Sequence, residues 1–355
     1  MGKKQYKFSS KAVDCYFDAD FSLLEKLVSQ ENAIIITDDN IASIYKETFK
    51  GWKVIAIKPG EKNKQQATVD HVISELIKLQ ADRETFIIGI GGGVITDIAG
   101  YTASVYMRGI KFAFLPTTIL AMVDAAIGGK NGVDVGVYKN LIGTIRHPEF
   151  LLYDYSFLKT LPKEEWINGF AEIIKHACIK DAAMFELLAN NSIEEFQNSP
   201  AKVAELIKRN AGIKYNVVSG DEFETGERKL LNFGHTLGHA IENIYKLPHG
   251  SAISIGMAAA CKISETINDF SATDGKRVID LLKKYKLPVD LKFDKEKVWK
   301  VLLMDKKKAG DTMNFVLLNK IGEGIVKQIR LHQLKELFNQ VRKKFAKSPL
   351  GDLGV

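Results

Sequence analysis

His235-Thr236-Leu237-Gly238-His239 sets two imidazoles four residues apart, on one face of a helix and at a spacing that can grip a single metal ion. A third, His249, follows in Pro248-His249-Gly250, which reads as a turn. Three of the seven histidines therefore fall within fifteen residues, a density that favours a site over chance. Glu172 stands among Phe170, Ala171, Ile173 and Ile174, an apolar neighbourhood that fits a ligand better than a surface carboxylate. Its alternative is a surface ion pair with Lys175 at i+3, worth about a few tenths of a kcal/mol. An H-E-x-x-H protease helix is excluded, because Thr236 occupies the place of the glutamate base. Spacing alone nominates His235 and His239 as the chelating pair.

A second chemistry-bearing stretch is Gly91-Gly92-Gly93-Val94-Ile95-Thr96-Asp97, directly after an apolar run at 85–90 and ahead of a helix-like segment. Strand, glycine turn and helix start together make an anion site, since bare N–H groups and the helix dipole point at one place. The G-x-G-x-x-G fingerprint fails at its last position, where Val94 stands, and a tight turn without ligand would explain the same text. Pro116-Thr117-Thr118 follows another strand-like run, where the hydroxyls could reach a cofactor or cap a helix. Pro59-Gly60-Glu61-Lys62-Asn63-Lys64 is a weaker third instance. Basic residues also interrupt apolar, glycine-rich text: Arg108 after Tyr106-Met107, Lys130 after Gly128-Gly129, and Lys139-Asn140 before Leu141-Ile142-Gly143. Each alone reads as a surface-loop charge. Together they fit a pocket for a polyanion, because charges in such text are costly without partners.

The elements that must hold these residues divide the chain in two. In residues 1–160, β-rich runs at 33–37, 53–57, 85–90 and 111–115 alternate with helical periods such as Val69, Val72, Ile73, Leu76 and Leu79. This alternation predicts a mostly parallel sheet with helices on its faces. In residues 161–355 helical periods dominate, and strand signals nearly vanish until Asn314-Phe315-Val316-Leu317-Leu318. Residues 348–355 read as a loose tail.

The length of 355 residues fits about two domains. With 46% hydrophobic and 26% charged residues, the composition is that of an ordinary globular protein. The longest apolar stretch, 112–127, is broken by Pro116 and Asp124, which argues against a membrane span. No apolar run follows the basic first residues, so a secretory leader is not expected. Cys15, Cys178 and Cys261 are odd in number and far apart, which points to a reducing, cytoplasmic setting and away from a thiolate zinc site. The excess of 50 basic over 43 acidic residues gives +7, part of it in Arg342-Lys343-Lys344, read as a solvated end. That charge alone would suit nucleic acid or a small anion. No aromatic–basic stripe supports nucleic acid, so a small-molecule partner is expected.

The glycine turn, Tyr106-Met107-Arg108-Gly109, Pro116-Thr117-Thr118, Met122-Val123-Asp124-Ala125 with Gly128-Gly129-Lys130, Lys139-Asn140-Leu141-Ile142-Gly143, Gly169-Phe170-Ala171-Glu172-Ile173-Ile174-Lys175 and Leu230-Leu231-Asn232-Phe233-Gly234-His235-Thr236-Leu237-Gly238-His239 resemble, in order and spacing, the 3-dehydroquinate synthase family. The resemblance spans roughly residues 33–322. It implies a Rossmann-like α/β nucleotide-binding domain followed by a mainly helical metal- and substrate-binding domain, related in fold to metal-dependent alcohol and glycerol dehydrogenases. It implies a metal, zinc foremost with cobalt as an alternative, on Glu172, His235 and His249, with His239 turned to substrate. NAD is implied at Asp38, Glu61, Lys64, Gly92, Gly93, Val94, Asp97, Thr117, Thr118, Leu120, Asp124, Lys130, Lys139, Phe157, Thr160, Leu161 and Glu165. The implied substrate residues are Asp124, Lys130, Lys139, Asn140, Lys175, Lys214, Arg228, Asn232 and His239, with one of Lys306 or Lys307. Arg108 matches an arginine that reaches across a homodimer interface. Tyr138 stands where members often carry glycine, and Ala126 where many have serine or valine. Both bear only on loop shape.

The implied reaction belongs to the shikimate pathway of aromatic amino acid and chorismate biosynthesis. 3-Deoxy-D-arabino-heptulosonate 7-phosphate is oxidised transiently by NAD, loses phosphate, is re-reduced, and closes by an internal aldol step to 3-dehydroquinate. The oxidation acidifies the carbon–hydrogen bond beside the leaving phosphate, and the substrate's own phosphate serves as base. Two rival enzymes share parts of this pattern. A metal-dependent dehydrogenase would not need Lys130, Lys139, Lys175 and Arg228 together. A related cyclase making an aminocyclitol or valiolone precursor is disfavoured by Asn232 and His239.

Overall fold

The computed structural model describes residues 2–136, 138–303 and 308–345, without the side chains of 308–309 and 341–345. Lys306, Lys307, the tail at 348–355 and the side chains of Arg342-Lys343-Lys344 lie outside the described residues. The chain forms two compact units, 1–172 with 193–228, and 173–192 with 229–355.

The first unit is built on a seven-stranded sheet: β1 (Gly2–Lys7), β2 (Ala12–Phe17), β3 (Ala33–Asp38), β4 (Lys53–Ile57), β5 (Phe86–Gly91), β6 (Phe112–Pro116) and, after the hairpin β7 (Lys130–Val135) and β8 (Tyr138–Ile145), β9 (Phe150–Leu152). The order is β1-β2-β9-β6-β5-β3-β4, and every pairing except β1–β2 is parallel. The β-rich runs become β3 to β6 because continuous Ile, Val and Phe text fits strands covered on both faces. Ile35, Ile88, Ile90, Ala113 and Leu115 share one core with Leu24, Leu152 and Phe157. The helix Gln66–Lys78 buries Val69, Val72 and Leu76, the stripe its periodicity predicts. From β3 the chain runs outward to β4, then returns to the other side of β3 for β5 and β6. The carboxyl ends of β3 and β5 thus flank the point where strand order reverses, the place where open α/β sheets bind ligands.

Two hairpins differ from the sequence expectation. β1 is exposed except at Tyr6, so its Lys-rich text carries no burial period. Lys130 and Lys139, each of which alone reads as a surface-loop charge, lie with Asn140 in the β7–β8 hairpin, with Lys130 opposite Ile145.

In the second unit the helices His235–Tyr245, His249–Ile267, Ala272–Lys284 and Lys295–Leu302 accompany the antiparallel strands β10 (Lys308–Ala309), β11 (Thr312–Lys320) and β12 (Glu323–Arg330). The strand expected at 314–318 is the middle of β11. Its partner β12 was not expected, because its burial is mostly partial and it shows no clear alternation. His249 is not in a turn but is the first residue of its helix, with Pro248 (φ −53°, ψ 141°) as the N-cap. The two histidine helices approach so closely that a Cβ on Gly256 would sit 1.9 Å from the Gly234 carbonyl oxygen. Among the described residues no helix is long and apolar enough to cross a membrane.

Candidate nucleotide, anion and metal sites

The glycine turn joins β5 to the helix Gly93–Val105, with Gly92 as N-cap and no acidic side chain in the first turn. A Cβ at Gly92 would lie 3.1 Å from Thr118 Cγ2, so the turn and the Thr117-Thr118 loop crowd together. Thr117 N–H donates to the Gly91 carbonyl at 2.9 Å. On the neighbouring strand Thr37 Oγ1 donates to the Ile90 carbonyl at 2.7 Å, which leaves Asp38 at the end of β3 beside the turn. Asp38 caps its own helix through the N–H groups of Asn40 and Ile41, and burial pushes its carboxyl pKa up. Val94 lies in the first turn of the glycine-turn helix. Phe157 and Thr160 meet through Tyr45, whose ring lies 4.4 Å from Phe157 and whose hydroxyl is 2.7 Å from Thr160 Oγ1. Glu165 accepts from Asn168 at 3.2 Å, and Leu161 closes the turn Tyr155–Thr160 as its C-cap, its N–H donating to the Leu158 carbonyl at 3.3 Å.

Five of the nominated residues form one network. Lys64 pairs with Asp97 and donates to Asn140 Oδ1 at 2.5 Å, while Lys139 pairs with Glu61 at 2.7 Å and Asp134 at 3.2 Å. Asp134 also accepts the Asn140 N–H at 2.7 Å. Lys64 is buried, and Asp97, Glu61 and Asp134 hold its ammonium pKa above the ordinary lysine value. Burial pushes the Asp97 carboxyl up to about 6 even though Lys64 opposes the shift.

A second group lies around Asp124, in a π-helical turn at Ala121–Ala125, a geometry that recurs at functional sites. Leu120 precedes this turn as its N-cap residue. Lys214 reaches the Asp124 carboxylate at 2.8 Å and its carbonyl at 2.7 Å. Lys130 pairs with Glu224, and the buried Arg228 donates to the carbonyls of Glu222 and, at 2.9 Å, Gly128. Arg108 is exposed on a turn in which Met107 (φ 48°) and Arg108 (φ 67°) are both left-handed, a strained pairing for non-glycine residues. The Tyr106 hydroxyl anchors that turn on the Ala81 carbonyl at 2.8 Å.

Three histidines converge in the second unit. His235 and His239 have ring centroids 5.0 Å apart, and His249 lies 5.6 Å from His235 and 6.1 Å from His239. His235 Nδ1 sits 3.1 Å from the Phe233 carbonyl, and His249 Nδ1 3.2 Å from Glu242 Oε2. A carbonyl and a carboxylate only accept, so each Nδ1 carries a proton, and Nε2 is the ring nitrogen suited to a metal. His239, Glu242 and His249 also have ligand atoms within 4.8 Å of one another, but there Glu242 is engaged as the orienting partner of His249. Asn232, half-buried, ends the short helical turn Glu227–Asn232 just before these helices. Glu172 and Lys175 lie on the helix Lys163–Lys180 at 0% and 1% exposure, so neither belongs to a surface ion pair. A carboxyl group buried to that degree either keeps its proton or needs a cation in reach.

Glu242, Asp134 and Glu224 are partners that the sequence reading missed. Glu242 had a usable signal, being one helical turn beyond His239 on the same face. Asp134 and Glu224 had none, because their partners are defined only by the folded chain.

Residues 54–168 match the family model of the 3-dehydroquinate synthase N-terminal region, and 169–308 that of the C-terminal region. A 3-dehydroquinate synthase of Leptospira interrogans is 40% identical over 311 residues, 85% of this chain and 86% of that protein. Among solved structures, 2-epi-5-epi-valiolone synthase from Streptomyces hygroscopicus, with NAD+ and Zn2+ bound, aligns with TM-score 0.85 and 25% identity, over 97% of this chain and 99% of its own. A 2-deoxy-scyllo-inosose synthase complexed with carbaglucose-6-phosphate, NAD+ and Co2+ aligns with TM-score 0.82 and 26% identity, over 96% and 100%.

Proposed function

The chain belongs to the 3-dehydroquinate synthase family, and from that premise we infer that it converts 3-deoxy-D-arabino-heptulosonate 7-phosphate to 3-dehydroquinate and phosphate. It is an NAD- and metal-dependent carbon–oxygen lyase. The observation that carries this reading is the set of basic residues already held in place: Lys130 on Glu224, Lys139 on Glu61, Lys214 on Asp124 and Arg228 on Gly128. A dehydrogenase acting on a neutral alcohol needs no such set, whereas a substrate with a carboxylate and a phosphate does. Cations fixed before binding cost no reorganisation when the substrate's charge moves.

The metal, zinc by preference, is assigned to Glu172, His235 and His249, and the protons on Nδ1 of both histidines support that choice. NAD is assigned to the glycine turn with Asp38, Glu61, Lys64, Val94, Asp97, Thr117, Thr118, Leu120, Phe157, Thr160, Leu161 and Glu165, and to Asp124, Lys130 and Lys139, which it shares with substrate. Substrate is assigned to Asp124, Lys130, Lys139, Asn140, Lys175, Lys214, Arg228, Asn232 and His239. When bound, NAD supplies a reversible hydride acceptor and the metal a Lewis acid at the hydroxyl to be oxidised. Lys130, Lys175 and Arg228 orient the anionic ends, and Asp124 steers Lys214. The substrate phosphate acts as its own base, so this reading requires no carboxylate dyad of the chain.

The chain acts as a cytoplasmic homodimer of the shikimate pathway, with its nucleotide-binding part divided from its metal-binding part near residue 160. The strained, exposed Arg108 turn supports a role across the interface. Mixing Arg108→Ala and Lys175→Ala chains should restore activity in heterodimers, and verified heterodimers without recovery would reject the shared site. The function itself is tested by incubating metal- and nucleotide-stripped protein with the heptulosonate phosphate. 3-Dehydroquinate should form only when NAD and a divalent metal are both returned, and a sugar phosphate that lacks the carboxylate should not replace the substrate. Turnover of that sugar phosphate in its place would move the chain to another cyclase.

A further inference from the structure

The loop from Asp221 to Arg228 is pinned at several points. The Asp221 carboxylate accepts the N–H groups of Thr225 (2.9 Å), Gly226 (2.7 Å) and Arg228 (2.9 Å). The Glu222 carboxylate accepts the Ser9 N–H at 2.9 Å and lies 3.0 Å from His147 Nε2. Arg228 donates back to the Glu222 carbonyl and across to Gly128, and Glu224 pairs with Lys130. His147 is 2% exposed. The Phe8 ring stacks on it at 3.8 Å and 11°. On its other side is Gly129 (φ 71°), where a Cβ would stand 3.0 Å from the imidazole. Burial lowers its pKa, with Glu222 opposing and Arg228 and Lys11 assisting, so the ring is neutral near pH 7 and its Nε2–H donates to Glu222.

We propose that His147 is a positioning residue: by holding Glu222 and filling the space beside Gly129, it sets the loop that presents Arg228 and Lys130 to the substrate's anionic groups. The proposal rests on the assignment of Arg228 and Lys130 to substrate. Nothing in the local text around Ile145-Arg146-His147-Pro148 marks this role, since its partners are 75 residues away at Glu222 and in the turn after β1. The hydrogen bond and the ring contact of His147 go to Glu222 and Phe8, not to the nucleotide turn or the metal histidines, so a loss confined to substrate affinity separates positioning from general damage.

The test is steady-state kinetics of His147→Ala, His147→Gln, Glu222→Gln, Arg228→Ala and the His147→Ala/Arg228→Ala double variant, with NAD affinity measured by titration. His147→Ala should raise KM for the heptulosonate phosphate on the order of tenfold, with kcat and NAD affinity nearly unchanged. His147→Gln, which keeps an N–H near the same place, should restore most of that loss. Glu222→Gln, which keeps the loop's shape, should reproduce a smaller rise in KM if His147→Ala folds poorly. The double variant should lose less than the product of the two single losses, because part of the His147→Ala effect runs through Arg228. A His147→Ala enzyme with wild-type KM beside a crippled Arg228→Ala enzyme would overturn the proposal and leave the substrate assignment standing. An Arg228→Ala enzyme with wild-type KM would remove the assignment and the proposal together.

Discussion

The glycine turn and the paired histidine helices build ligand sites in opposite ways. At the turn the groups proposed to face ligand are backbone N–H groups, placed by β5, the helix Gly93–Val105 and the close approach of Thr118. In the histidine helices they are side-chain nitrogens, and each nominated ligand depends on one orienting partner, Phe233 for His235 and Glu242 for His249. A backbone-built site spreads its contacts over many groups that no single substitution removes. A side-chain-built site concentrates them. Single changes should therefore weaken the first by degrees and break the second outright.

The sharpest break is expected at His249→Ala, which should lose its metal on dialysis and lower turnover by about 10³-fold, or roughly 4 kcal/mol. His239→Ala should keep near-stoichiometric metal while losing turnover, and a metal-free His239→Ala beside a metal-replete His249→Ala would reverse the ligand assignment. Glu242→Gln probes the orienting partner, and metal affinity should drop about 10- to 100-fold by competition titration. An unchanged affinity would mean that Glu242 only packs. On the backbone side, Gly92→Ala pushes a methyl toward Thr118 and should weaken NAD about tenfold, near 1.4 kcal/mol, with KM for the sugar phosphate unmoved. Complete loss of NAD binding would erase the contrast between the two regions.

The smallest effect concerns Asp97, whose buried carboxyl is raised to about 6 from the ordinary 3.8. Such a group takes up a proton on folding, so its contribution is fully present below 3.8 and is lost as pH rises through about 6. Lys64, raised from 10.5, contributes throughout that window and does not change its slope. Melting curves between pH 4 and 7 should show wild type losing a few degrees relative to Asp97→Asn as pH rises. Parallel curves would place the Asp97 titration elsewhere.

The same contrast explains what was legible in the sequence. β3 to β6 and the glycine turn are local patterns, continuous apolar runs of which one, β5, ends in glycine, and the structure places each strand within about a residue of its text. The convergence of His235, His239 and His249 is visible as spacing, although Pro248-His249-Gly250 reads as a turn where the structure starts a helix. The β7–β8 hairpin was not legible, because Lys139 and Asn140 gain their places from Glu61, Lys64 and Asp134 rather than from a period-two pattern. The hairpin β1–β2 hid behind exposed lysines, and Glu224 and Glu222 meet partners 94 and 75 residues away. Long-range charge pairing leaves no periodic trace.

The central claim is that NAD is a catalyst here and not a reactant, and it is tested by counting. Enzyme stripped of nucleotide and supplied with metal, excess heptulosonate phosphate and limiting NAD should release many phosphates per NAD, with no lasting absorbance from NADH. One NADH accumulating for each substrate consumed would contradict the account and make the chain a dehydrogenase.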